Sequence, residues 1–172
     1  ATAITVTFSA RMAAEGGLMY LMRRIATRNA RPLELLYLAL GRVGLALAPA
    51  LKLCGLERLE RPAAWFEAWS KGALFDCRMC GRCVLSKTGM TCPMNCPKQL
   101  RNGPCGGVRQ NGNCEVQAEM KCVWVDAWAG AGRMHRGGRL ATLMAPLDHR
   151  LKGSSAWLRS LAKRAGDGDA AR

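Results

Sequence analysis

Eight of the nine cysteines in this 172-residue chain fall between positions 77 and 122, a concentration that indicates metal binding. They are Cys77, Cys80, Cys83, Cys92, Cys96, Cys105, Cys114 and Cys122. The first three follow one another at CxxC spacing, which suits three corners of an iron–sulfur cubane. Two cysteines would be enough for half of a zinc site. We therefore predict that all eight are metal ligands.

Eight thiolates match the demand of two four-ligand sites, which leaves three possible metal contents. In order of preference these are two [4Fe-4S] clusters, one [4Fe-4S] cluster with one zinc ion, and two zinc ions. Zinc fits the pairs Cys77/Cys80 and Cys92/Cys96 but explains Cys83 less well. A disulfide framework is disfavoured because it needs an oxidising compartment, and the N-terminal residues show no signal-peptide pattern. We expect a cytoplasmic protein.

The spacing departs from that of two-cluster ferredoxins, because eight residues separate Cys83 from Cys92. Prolines follow Cys92 and Cys96 and precede Cys105, where they fix the direction of the chain beside the sulfurs. Glycines are interspersed with the cysteines at positions where turns around a compact inorganic core need positive φ. They are Gly81, Gly89, Gly103, Gly106, Gly107 and Gly112.

The elements around the cysteines read mainly as helices. We divide the chain into an N-terminal arm (1–16), a helical segment (17–72), a cysteine-rich metal-binding core (73–130) and a basic linker with a C-terminal helix and tail (131–172). We predict a small metal-organised domain, mostly α plus coil with little sheet, whose irregular core is ferredoxin-like in role.

Apolar periodicity and breaker residues predict where the helices lie. The first spans about 17–28, the second starts at Pro32, the third runs from Pro62 to about Gly72, and the last follows Ser154 or Ser155. Glycines and Pro49 predict a kink or break in the second helix. Trp124 and Trp128 are expected to seal the core or to dock on a partner, and Cys54 reads as a buried thiol.

The apolar stretch 35–53 is interrupted by Arg42 and Pro49, so it predicts a buried or partner-facing helix with no membrane insertion. The formal charge is +14. Two four-thiolate metal sites would lower it to about +10. A basic zinc protein that binds nucleic acid is disfavoured, because paired histidine ligands and stacking aromatics are missing from the sequence. We predict no nucleic-acid partner and no catalytic residues, since the sequence shows no nucleophile–base pair or carboxylate dyad.

The cysteine-containing runs resemble the cysteine-rich family of methylenetetrahydrofolate reductase, in which this domain is a C-terminal extension or a separate small subunit. The resemblance rests on Phe75–Cys83, Thr91–Lys98, Leu100–Val108, Gly112–Glu115 and Cys122–Trp128. It is specific over 73–128, looser over 18–72 and lost beyond about residue 130.

The resemblance implies an iron–sulfur accessory subunit that passes electrons to or from the FMN or FAD of a separate reductase subunit in folate one-carbon metabolism. It also implies a hetero-oligomer, with a ferredoxin or another protein as electron donor. The alternative is a structural zinc scaffold of the same reductase without a redox role. A catalytic barrel alone needs some 250 residues, so this chain would be the non-catalytic subunit of the oxidoreductase.

Overall fold

The computed structural model describes residues 20–135, 140–164 and 166. Over these ranges five α-helices are present: α1 (20–28), α2 (Ala30–Cys54), α3 (Leu56–Phe75), α4 (Val123–Ala131) and α5 (Ala156–Arg164). Single 3-10 turns occupy Pro93–Asn95 and His149–Leu151. Asn113 and Lys121 form an isolated antiparallel bridge, and no longer strand occurs in the described chain. The prediction of helix and coil with little sheet is confirmed, whereas the predicted arm (1–16) lies outside the described residues.

Helix α2 is longer and more regular than its sequence suggests. It begins two residues before Pro32, which is tolerated there because amide groups in the first turn have no partner within the helix. It continues through Pro49 without interruption, so of the predicted kink or break the break does not occur. Gly44 has a packing role instead, since a Cβ atom there would lie 3.0 Å from Cδ2 of Leu161 in α5.

Helix α3 leads directly into the cysteine-rich segment. It starts six residues earlier than predicted and includes Pro62 in its body. It ends at Phe75. The next residue, Asp76, terminates it through a left-handed conformation (φ 50°), and the Asp76 amide donates to the Gly72 carbonyl over 3.0 Å. The chain therefore turns sharply one residue before Cys77. Its buried residues Glu67, Lys71 and Phe75 recur every four positions along one face.

The outward face of α2 is apolar. Leu36, Leu40, Val43 and Leu47 are each more than half exposed. The most apolar 18 residues of this helix have a mean hydropathy of 1.5, and 11% of them are buried. Within the described chain it is the one helix long and apolar enough to cross a membrane. Of the predicted alternatives, a buried or a partner-facing helix, the first is wrong, because α3 and α5 cover only its inner side. Cys54 at its end is exposed as well, rather than buried.

Two small apolar clusters form the core. The first joins the helices to the cysteine-rich segment and contains Ala26, Ala30, Phe75, Leu85, Met90, Cys92 and Met134. The second lies around α4 and contains Cys122, Trp124, Ala127 and Met144. Each cluster includes a cysteine that is predicted to bind metal. The apolar packing therefore supports the thiols directly.

Helix α4 packs against the loop that follows Cys83 through a contact between Gly89 and Gly130. A Cβ atom on Gly89 would lie 2.3 Å from the Ala127 carbonyl oxygen, and one on Gly130 would lie 2.1 Å from the Gly89 oxygen. Gly89 also has φ 62°, a conformation that side chains disfavour. Backbone packs on backbone here, and no larger residue fits.

We expect Gly89→Ala to lower the free energy of unfolding by at least about 3 kcal/mol, because it adds left-handed strain to overlap with rigid backbone. Gly72→Ala is the matched control: it lies inside α3, and its added Cβ meets nothing within 4 Å. That variant should be more stable by about 0.5–1 kcal/mol. Thermal unfolding at equal metal content measures both. Equal melting temperatures for the two variants would contradict this packing.

Candidate metal centres

The structure divides the eight cysteines into two sets of four. The first set, Cys77, Cys80, Cys83 and Cys92, lines one cavity next to the C-terminal part of α3. The second set, Cys96, Cys105, Cys114 and Cys122, lines another cavity next to α4. All nine cysteines are unpaired. Cys54 is the ninth and belongs to neither set.

The division separates two cysteines that are close in sequence. Cys92 and Cys96 flank the 3-10 turn Pro93–Asn95 and line different cavities. Asn95 is buried and anchors the turn: its Nδ2 donates to the Phe75 carbonyl at 3.0 Å, and its Oδ1 accepts from Arg78 Nε at 3.2 Å. The pairing of Cys77/Cys80 with Cys92/Cys96 in one zinc site does not match this arrangement.

The first set is surrounded by buried charged groups that the sequence did not reveal. Lys71 and Glu67 line its cavity, and their side chains are each 2% exposed. Lys71 Nζ lies 2.5 Å from Glu67 Oε1 and 4.4 Å from the centroid of the Trp157 ring. Burial acts to lower the pKa of Lys71, but attraction to Cys83 and Glu67 outweighs it and raises that pKa. Lys71 is therefore a fixed cation beside Cys83.

Tyr37 and Arg101 complete these surroundings. Burial, followed by interaction with Cys83, raises the pKa of the Tyr37 hydroxyl, which stays neutral. Arg101 is buried, and its Nη1 lies 3.7 Å from Cys80 Sγ while its Nη2 donates to the Arg82 carbonyl at 3.2 Å. Arg101 Nε has no hydrogen-bond acceptor within the described part of the chain. Arg101 is thus a second cation beside the thiols, and its Nε–H group remains available to donate a hydrogen bond.

The second set includes one exposed thiol and has a different polar neighbour. Cys105 is exposed, whereas Cys114 and Cys122 are buried. Cys105 Sγ donates to Glu115 Oε1 at 3.4 Å, and Lys98 forms an ion pair with the same carboxylate. The hydrogen bond from Lys98 lowers the pKa of Glu115. An exposed ion pair therefore borders this set, in place of the buried ammonium of the first.

Helix α4 begins at the second set. Cys122 immediately precedes it and is its N-cap residue. Trp124 is 5% exposed, lines the cavity, and donates from Nε1 to the Leu100 carbonyl at 3.2 Å. Trp128 is 75% exposed. Of the two tryptophans expected to seal the core or to face a partner, Trp124 covers the cavity and Trp128 points outward.

Backbone amides point at sulfur in both sets. The Met79 amide lies 3.4 Å from Cys77 Sγ, and the Gly107 amide lies 3.4 Å from Cys105 Sγ. The Met94 amide makes the corresponding bond to Cys92. In each case the donor is two residues after the cysteine, and Met79 reaches this position through a left-handed conformation, φ 44°. Such bonds stabilise thiolates and tune metal–thiolate centres.

Burial keeps two thiols of the first set, Cys77 and Cys92, protonated when no metal is bound. It raises the pKa of Cys77 to about 11, against the opposing effect of the Met79 amide. It raises the pKa of Cys92 to about 12, with a further contribution from the charge of Cys77. A metal would displace these protons on binding. Across the described residues, no three Cys, His, Asp or Glu side chains are grouped closely enough to hold a single ion.

The missed residues left a weak signal in the sequence. Glu67, Lys71 and Phe75 are spaced four apart on the helix that leads into Cys77, so they share one face. Ion pairs at this spacing are common on exposed helix surfaces, so spacing alone did not indicate burial. His135 and His149 are exposed and line neither cavity, as expected for histidines outside the ligand set.

In metal-free, reduced protein at pH 8 we expect iodoacetamide to modify the exposed Cys54 first and Cys77 and Cys92 last. A pKa of about 11 leaves about one thiol in a thousand ionised at that pH, and the thiolate is the reactive species. Mass spectrometry of peptides from a time course measures the order. Urea-unfolded protein is the control, in which the three cysteines should react alike. Equal rates in the folded protein would contradict the burial of the first set.

Comparison with known proteins supports the assignment indicated by the cysteine-containing runs. Neither the curated proteins nor the solved structures gave a match. The family model described as methylene-tetrahydrofolate reductase C terminal matches residues 56–150, which include α3, both sets of cysteines and α4. This match covers more than half of the chain. The chain therefore belongs to the methylene-tetrahydrofolate reductase C-terminal family.

Proposed function

We propose that this chain is the iron–sulfur accessory subunit of a methylenetetrahydrofolate reductase. The observation that carries the proposal is the division of eight cysteines into two cavities with four thiols each. Four thiolates are the ligand set of one [4Fe-4S] cluster. Cys77, Cys80, Cys83 and Cys92 would hold one cluster, and Cys96, Cys105, Cys114 and Cys122 the other.

The surroundings of the thiols favour clusters over single zinc ions. In the described chain the four thiols of each set line a common cavity. Amide donors to sulfur and the cations Lys71 and Arg101 are groups that adjust the potential of an iron–sulfur centre.

A [4Fe-4S] cluster supplies reversible one-electron chemistry when it is bound. In the proposed role, electrons pass through this chain between a ferredoxin or another donor and the FMN or FAD of a separate catalytic subunit. That flavin exchanges hydride with the folate, in either direction. The two subunits form a hetero-oligomer in the cytoplasm, where thiols remain reduced.

A zinc scaffold is the competing function, because either set of four thiols also satisfies the ligand count of structural zinc. Zinc has no accessible redox step and would contribute folding free energy and a docking surface. Iron, acid-labile sulfide and zinc per chain in anaerobically purified protein separate the two functions. About eight iron atoms and a paramagnetic signal after dithionite reduction are expected. Zinc alone would rule out electron transfer.

Single variants test the division of the ligands. We expect Cys83→Ser and Cys114→Ser each to lose about half of the iron, about four atoms, because each removes one ligand from a different set. The double variant should lose nearly all of it. Cys54→Ser is the matched control and should keep the full content, since Cys54 lies outside both sets. Iron analysis on the folded variants gives the result. Loss of all iron from either single variant would contradict two independent sites.

A further inference from the structure

We propose that the C-terminal segment 153–164 completes the first cysteine site: Ser155 holds Glu67, and Glu67 holds the Lys71 ammonium beside Cys83. The inference rests on the proposed function only in requiring that this site binds metal. The family match ends at residue 150, so the segment lies beyond the shared part of the chain. Ser154 and Ala156 nevertheless line the same cavity as the four thiols.

Backbone contacts hold the segment against the loop that contains the first cysteines. The Gly153 amide donates to the Met79 carbonyl at 2.8 Å, and Arg159 Nη1 donates to the Gly81 carbonyl at 2.7 Å. A Cβ atom on Gly81 would lie 2.3 Å from the Leu151 carbonyl oxygen. Glycine is therefore required at Gly81 for this close approach as well as for its φ of 74°. The segment covers the loop between Cys77 and Cys83.

Ser155 connects the start of α5 to Glu67. Its side chain is fully buried; Oγ accepts from the Leu158 amide at 3.2 Å and donates to Glu67 Oε2 at 2.7 Å. The Trp157 amide donates to the same carboxylate oxygen at 3.1 Å. Glu67 thus lies at the N-terminus of α5, where amide groups and the helix dipole stabilise a carboxylate.

Glu67 in turn determines the position of Lys71. Its second oxygen, Oε1, lies 2.5 Å from Lys71 Nζ, and the face of Trp157 covers the ammonium group on another side. A buried ammonium without these partners would carry a large desolvation cost. Lys71 also lines the cavity of the four thiols of the first set and interacts electrostatically with Cys83. Residues of α3 and α5 therefore fix one positive charge at this site.

A fixed cation next to thiolate ligands favours the reduced, more negative state of a metal centre, and the overlying segment limits the access of water. Lys71 acts on the site directly, whereas Ser155 and Glu67 are positioning residues. The second site has an exposed lysine–glutamate pair instead, so it provides an internal comparison within the same molecule.

The test compares Ser155→Ala with Ser155→Thr, which keeps the hydroxyl, and with Ser160→Ala, the same change at an exposed position of α5. Metal release to a chelator is followed anaerobically in the full chain, with the Cys114→Ser background used to assign the first site. We expect Ser155→Ala to release first-site metal about tenfold faster, as is typical when a group supporting a ligand is removed. Ser155→Thr and Ser160→Ala should release it at the wild-type rate.

A potentiometric titration provides the second readout. Lys71→Met should lower the ratio of reduced to oxidised first-site centre about tenfold at a given potential, which is a shift of about 59 mV for one electron. The second site should not shift. An unchanged metal content of the second site serves as the control that each variant has folded. Arg159→Gln is a second variant that leaves Ser155 and Glu67 intact; it should also accelerate first-site release alone, because it removes the bond to Gly81.

Equal first-site release from Ser155→Ala, Arg159→Gln and Ser160→Ala, with no change of potential in Lys71→Met, would overturn the inference while leaving the proposed function intact. Wild-type protein that contains no metal would overturn the proposed function itself. If the site holds zinc, electron transfer fails, but the release rates still decide whether the C-terminal segment completes the site.

Discussion

The single turn between Cys92 and Cys96 is the constraint on which the arrangement of both sites depends. Pro93 starts the turn, and the buried amide of Asn95 ties it to the end of α3 through the Phe75 carbonyl. One cysteine therefore joins the three that precede it, and the other joins the three that follow. If this turn were extended, both thiols would be free to enter one site, and neither set would have four members.

The site of Cys77, Cys80, Cys83 and Cys92 also depends on a pair of buried charges. Placing Lys71 and Glu67 inside a small protein is unfavourable unless each charge is matched and hydrogen-bonded. Here the Glu67 carboxylate accepts hydrogen bonds from the Ser155 hydroxyl and the Trp157 amide and forms an ion pair with Lys71. The Lys71 ammonium also packs over the ring of Trp157. This network includes residues from α3 and α5, which are separated by the whole cysteine-rich segment. The geometry of one thiol set therefore depends on chain that lies far from it in sequence.

The apolar outer face of α2 differs from this buried network, in which every charged group has partners. Its inner side packs on α3 and α5, and Gly44 lets Leu161 approach closely. Its outer leucines are exposed over most of the length of the helix. Contiguous apolar surface of this kind is typical of surfaces that contact another protein or a membrane. The helix thus supports the cysteine sites on one side and has, on the other, an apolar surface that none of the described helices covers.

The sequence by itself determined the helical character and the family and singled out eight cysteines as candidate ligands, because cysteine spacing and apolar periodicity are local properties. It predicted the end of α1 at residue 28 and located α3 only in part, since Pro62 was read as a start although it lies within the helix. Only the tertiary structure decided which cysteines share a cavity, that Cys54 is exposed, and that Lys71, Glu67 and Ser155 meet beside Cys83. These outcomes depend on contacts between residues up to about ninety positions apart, for which sequence spacing contains no signal.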